Sequence, residues 1–164
     1  MNNPSILSNL YVKQIKDGEY GVSTSSPIYA GSTIEYCAWI PVTQKMQILI
    51  SKNDQGLAKS LFPNPDGINK ERDIASKIAE LDLEDRLNRG LVSTEQVRSI
   101  IMSIANPANI ASIVSHSILL GFGSIYRKSE SPNINWDYDT KSKLYRFYAV
   151  QDIPTNQELT YFSN

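Results

Sequence analysis

The apolar residues of this 164-residue chain change period twice, from strand-like to helical and back, and that order constrains its fold most. Leu10 to Ile15 alternates around Tyr11 and Val12, Lys16-Asp17-Gly18 supplies a turn, and Tyr20-Gly21-Val22 follows. Pro27 and Ala30-Gly31-Ser32 mark a second turn. Thr33 to Ile40 is then rich in β-branched and aromatic residues, and Pro41 either ends that run or places it at a sheet edge. Met46 to Ile50 is a short apolar run that reads as a buried strand, and the breakers Asn64-Pro65-Asp66-Gly67 read as a loop.

The middle is helical. Ile74, Ile78 and Leu81 recur at helical spacing, and Arg89-Gly90 supplies a stop. Ser93 with Gln96 forms a capping box ahead of the Val97, Ile100, Ile101, Ile104 stripe. Asn106-Pro107 reads as an N-cap followed by proline at the first helical position, with a helix running through Ile110, Ile113, Val114 and Ser117 towards Gly121. The pattern predicts three helices between about residues 70 and 120. Strands return with Ile134, Trp136 and Tyr138, then Leu144 to Val150, then Glu158 to Phe162. The expected fold is α+β: one domain over 1–164, with the two strand groups pairing across a helical insertion at about 70–120.

Composition removes several function classes. Sixteen Lys plus Arg against seventeen Asp plus Glu leave a net charge of -1, so no field draws the chain to nucleic acid or an anionic membrane. One cysteine, Cys37, and one histidine, His116, fall short of a disulfide or a structural zinc site, so no metal is expected. As a nucleophile and base they are an unfavoured pair, Cys37 in an apolar strand and His116 in a helix. The aromatics Trp136, Tyr138, Tyr145, Phe147 and Tyr148 read as core packing ahead of a ligand channel, and Lys141 and Lys143 as a solvated turn. Without a membrane-length apolar run or a leader-like start, the expected compartment is cytoplasmic.

One constellation carries more. Gly121-Phe122-Gly123-Ser124-Ile125-Tyr126, Ser129 and Pro132-Asn133 precede Ala149-Val150-Gln151-Asp152-Ile153 and Glu158-Leu159-Thr160-Tyr161. Upstream stand Gly21-Val22 and Ile28-Tyr29-Ala30-Gly31-Ser32-Thr33-Ile34-Glu35-Tyr36. In order and spacing these motifs resemble the SET domain, the fold of protein-lysine methyltransferases, over about residues 9 to 164. The resemblance implies a β-clip of small sheets whose C-terminal strand threads under a loop as a pseudoknot. It further implies an S-adenosylmethionine pocket meeting a lysine channel, where a methyl group passes in line to a neutral amine in a dry aromatic environment. The closest style is that of the short SET proteins of bacteria and bacteriophages. Abundant Ile and Asn agree with a bacteriophage source, and hence with host cytoplasm or virion.

The resemblance also marks departures. Gly18-Glu19-Tyr20-Gly21 stands where the family's first cofactor loop reads G-x-G, one residue longer. Arg127-Lys128 replaces the Asn-His pair that holds the cofactor, and Ser163 stands at the catalytic tyrosine, after Phe162 in place of aspartate. Tyr161 aligns with the position that tunes how many methyl groups are added. Two readings follow. In the first, the fold is kept and the site degenerate, so the chain is a binding or structural module with a protein partner, in a larger assembly and without cofactor. In the second, it is a methyltransferase acting on a lysine-bearing protein. Tyr161 is then the channel hydroxyl, supported by Tyr36 and Tyr126. Gly18, Tyr20, Gly21, Arg127 and Lys128 lie around S-adenosylmethionine.

Overall fold

The computed structural model describes residues 9–162, which divide into two compact units. In chain order the elements are β1 (Leu10–Lys16), β2 (Glu19–Thr24), β3 (Thr33–Cys37), β4 (Trp39–Thr43), α1 (Gln44–Asn53), α2 (Gln55–Lys59) and β5 (Phe62–Pro63). Next come α3 (Pro65–Glu80), α4 (Leu83–Asn88), α5 (Thr94–Ile104), α6 (Pro107–Ala111) and β6 (Val114–Leu119). A 3-10 turn (Gly121–Ser124) leads into β7 (Arg127–Ser129), β8 (Ile134–Asp139), β9 (Leu144–Ala149) and β10 (Glu158–Phe162).

The first unit joins the two ends of the chain, up to Ile40 and from Leu119 onward. It holds one sheet in the order β1-β2-β10-β7 and another in the order β3-β9-β8. Strand β10 lies antiparallel to β2 and parallel to β7, so the C-terminal strand is inserted between segments distant in sequence. Asn133 holds it there. Its amide nitrogen donates to the Glu158 carbonyl at 2.7 Å, and its amide oxygen accepts from the Thr160 N–H at 2.9 Å. Its own backbone N–H donates to the Thr160 carbonyl at 3.0 Å. One buried side chain thus satisfies tail groups that a missing strand would otherwise leave unpaired. In the second sheet Tyr145, Phe147 and Ala149 alternate inward and Leu144, Arg146 and Tyr148 outward, the two-residue period of a half-buried strand.

The second unit spans Pro41–Ile118 and holds the helices and a sheet in the order β4-β6-β5. Pro41 lies in β4, an edge strand where its missing N–H leaves no ladder position empty. Three expectations are corrected here. Met46 to Ile50 lies in helix α1, whose first turn is capped by the Thr43 hydroxyl, and none of its residues is buried. Asn64-Pro65-Asp66-Gly67 opens α3, with the Asn64 side chain accepting from the Gly67 N–H and Pro65 in the first turn. The helix predicted from Pro107 towards Gly121 lasts only through Ala111, and β6 follows, so helices span Gln44–Ala111 instead of about 70–120. Ser115 and Ser117 occupy inward positions of β6, and such small polar residues conceal a strand's apolar alternation. His116 therefore sits on a strand, with Nδ1 3.0 Å from the Ser115 hydroxyl and its pKa lowered by burial against an opposing pull from Glu71. No helix among the described residues is long and apolar enough to cross a membrane.

Candidate functional site

The β1–β2 hairpin turns through Asp17 and Gly18, the latter in the left-handed region at φ +75°, which glycine adopts without penalty. Tyr20 is exposed and Gly21 buried. A methyl group on Gly21 would stand 2.5 Å from Glu158 Oε1, so the missing side chain makes room for that carboxylate. Glu158 reaches there from β10 and meets Arg127 at the start of β7, with 3.4 Å between Oε1 and Nη1. The other end of the guanidinium lies 3.6 Å from Glu19 Oε2, and Glu19 pairs in turn with Lys16 at 3.0 Å. Gly18, Tyr20, Gly21 and Arg127 therefore belong to one neighbourhood, with Lys128 beside them on β7 opposite Tyr161.

The tyrosines are divided. Strand β3 pairs with β9 through Glu35↔Phe147, Tyr36↔Arg146 and Cys37↔Tyr145, and paired residues share a sheet face. Glu35, Cys37, Tyr145 and Phe147 thus point to the buried face and Tyr36 to the other. There Tyr36 borders an open concavity of about 410 Å³ with Asp137, Tyr138, Asp139, Thr140 and Arg146. Arg146 is ion-paired to Asp137 and lies over the Tyr148 ring at 5.1 Å. Tyr126 and Tyr161 instead flank Phe147, with ring centroids 4.9 and 6.5 Å from it. Both are nearly inaccessible, and burial pushes the Tyr161 hydroxyl up to about 12. Ser163 lies outside the described residues. Three further aromatics cluster about the fully buried Tyr145: Trp39, Trp136 and Tyr138 have centroids within 6.4 Å of it.

A group not anticipated from the sequence lies beneath the Gly121–Ser124 turn. Glu35 is 0% exposed. The Tyr126 hydroxyl, the Cys37 thiol and the Phe122 and Gly123 amides all approach its carboxylate, yet neither oxygen has a well-formed hydrogen bond. Burial dominates and raises the Glu35 pKa, those donors offsetting part of the rise. Burial also raises the Cys37 thiol and the Tyr126 hydroxyl, with Glu35 adding to both, so the cluster favours its neutral forms. The two glycines fit this arrangement. A methyl group on Gly121 would meet Glu35 Oε2 at 3.2 Å, and one on Gly123 would meet Cys37 Sγ at 2.7 Å. Gly121-Phe122-Gly123 is therefore the signal for a buried group beneath the turn, and the bulge between Thr33 and Glu35 conceals which β3 residue provides it. Among the described residues, no cation acts on Cys37 to make it a thiolate and no group of three or more potential metal ligands occurs.

Comparison with known proteins agrees with this architecture. A search of curated proteins returns no significant match. Among solved structures, a Plasmodium falciparum protein provisionally assigned as a histone methyltransferase is similar over 93% of this chain and 94% of its own, at 14% identity and TM-score 0.50. Two crystal forms of Arabidopsis thaliana SUVH6 in complex with SAM give 16% and 18% identity, with TM-scores of 0.51 and 0.53. They are matched over 93% and 96% of this chain, which spans 28% and 27% of theirs. At these identities the likeness concerns the fold. The family model of the SET domain matches residues 19–162, from the hairpin to the end of β10, and the chain belongs to the SET-domain family.

Proposed function

We propose that this chain is a SET-fold protein whose methyl-transfer site is degenerate and which acts as a binding or structural module towards a protein partner. The observation that carries this reading is the separation of Tyr36 from the other two tyrosines. Tyr36 points away from Tyr126 and Tyr161 across the β3–β9 sheet, and the Tyr126 hydroxyl faces the enclosed Glu35. Ser163 replaces the expected catalytic tyrosine. Removing one preorganised donor from a transition state costs about two to three orders of magnitude in rate. The residues where the family's cofactor would lie do not fit it either, because Arg127 replaces the gripping asparagine and is engaged by Glu19 and Glu158. No transfer step is derived through it. The near-zero charge favours a protein partner over nucleic acid or membrane, and the short SET proteins of bacteriophages suggest host cytoplasm or virion. Calorimetry with SAM at micromolar protein should register no binding. A micromolar Kd would overturn the reading.

The joint packing of Tyr126 and Tyr161 on Phe147, together with the SAM complex of SUVH6, favours a second reading as a protein-lysine methyltransferase with an altered site. It requires radiolabelled methyl incorporation into lysate proteins that Tyr161→Phe abolishes. Incorporation unaffected by that change, or none at all, removes it.

A further inference from the structure

A glycine in a ligand-binding loop allows another group to approach the backbone closely. At Gly21 that space is already used. The Glu158 carboxylate lies where the side chain would be, and Arg127 bridges it to Glu19 on the same hairpin. The hairpin, the start of β7 and the start of β10 are thereby tied together by the chain's own charges. A lysine would form such a bridge poorly, since it carries one point charge, whereas the guanidinium presents separate N–H edges to two carboxylates. Both contacts are long, at 3.4 and 3.6 Å, and Arg127 is 37% exposed, so the tie is loose.

We propose that Arg127 is the specificity-determining residue of this site: held between Glu19 and Glu158, it closes the hairpin to SAM, and its removal reopens it. The inference rests on the degenerate reading and adds that Arg127 is the side chain that closes the cofactor half of the site. An asparagine is too short to span both carboxylates. It would release Glu158 from its partner, leaving the carboxylate over Gly21 free to turn aside. Glu19→Gln, which loses only one arm of the bridge, should have a partial effect.

The test is titration of the full chain with SAM, alongside thermal melts. The wild type is silent, Arg127→Asn binds with a micromolar Kd, and Glu19→Gln binds at least tenfold more weakly than Arg127→Asn. If Arg127→Asn does not fold, Arg127→Gln takes its place, retaining length and polarity without charge. A folded Arg127 variant that binds no SAM beside a silent wild type overturns the proposal, leaving Arg127 a structural staple and the degenerate reading intact. Micromolar binding by the wild type overturns both.

Discussion

Glu35 and Glu158 lie in the same unit, on β3 and β10, and are accommodated in opposite ways. Glu35 is enclosed beneath a glycine turn and faces neutral donors, and burial raises its pKa, favouring the protonated form. Glu158 lies over a glycine within reach of solvent and is met by a guanidinium. The difference shows two solutions to placing a carboxylate against a backbone. One depends on pH and tight packing, the other on a counter-charge that salt can screen.

The largest effect should come from the packing that supports the first solution. Phe147→Ala removes the ring that pairs with Glu35 in register and separates Tyr126 from Tyr161. It should cost about 3–5 kcal/mol in chemical denaturation. A loss below about 1 kcal/mol would mean the enclosed face is not the core. Next, Gly123→Ala forces a methyl group onto the buried Cys37 sulfur and should cost about 1–3 kcal/mol. Gly21→Ala meets the movable end of Glu158 and, less closely, the Ile15 side chain, and should cost less than about 1 kcal/mol. Equal costs would erase the contrast between the two regions.

The third effect is a pH slope. Glu35 has a folded pKa raised above its ordinary 4.5, so above that value the unfolded chain loses a proton that the folded chain keeps. Stability is therefore fully present below about pH 4.5 and falls as pH rises towards the folded pKa, by up to about 1.4 kcal/mol per pH unit from this group. Glu35→Gln should flatten that part of the wild-type profile in pH-dependent melts. An unchanged slope would show that Glu35 is not the titrating group. The smallest effect belongs to Glu19→Gln, below about 1 kcal/mol in low salt and vanishing near 1 M salt. A cost that persists in high salt would show a role beyond charge.

Part of the first unit was legible because its chemistry is local: Asp17-Gly18 marks the hairpin and alternation marks β8 and β9. The Asn133 grip on β10 joins segments 25 and 27 residues apart and has no local signal. The second unit was harder to read. Serines at inward positions concealed β6, and the apolar residues of α1 suggested burial although Met46, Ile48 and Leu49 are exposed. The Asn64 cap was mistaken for a loop because breakers and helix starts use the same residues. Gly67 shows why that particular breaker belongs there: a side chain would collide with the Val114 carbonyl, a contact visible only after folding. At the site, motif alignment found Arg127 and the hairpin, while the division of Tyr36 from Tyr126 depended on the β3–β9 register.

The insertion of β10 has a kinetic consequence. Its partner β2 forms a hairpin with β1 early, because that pairing is local, whereas β10 must return from the far end of the sequence. Until it arrives, β2 presents a bare edge and the Asn133 side chain has no strand to hold. A tail from a second molecule offers that edge the same hydrogen bonds. Refolding at high concentration should therefore favour exchanged dimers, and dilution should favour the closed monomer.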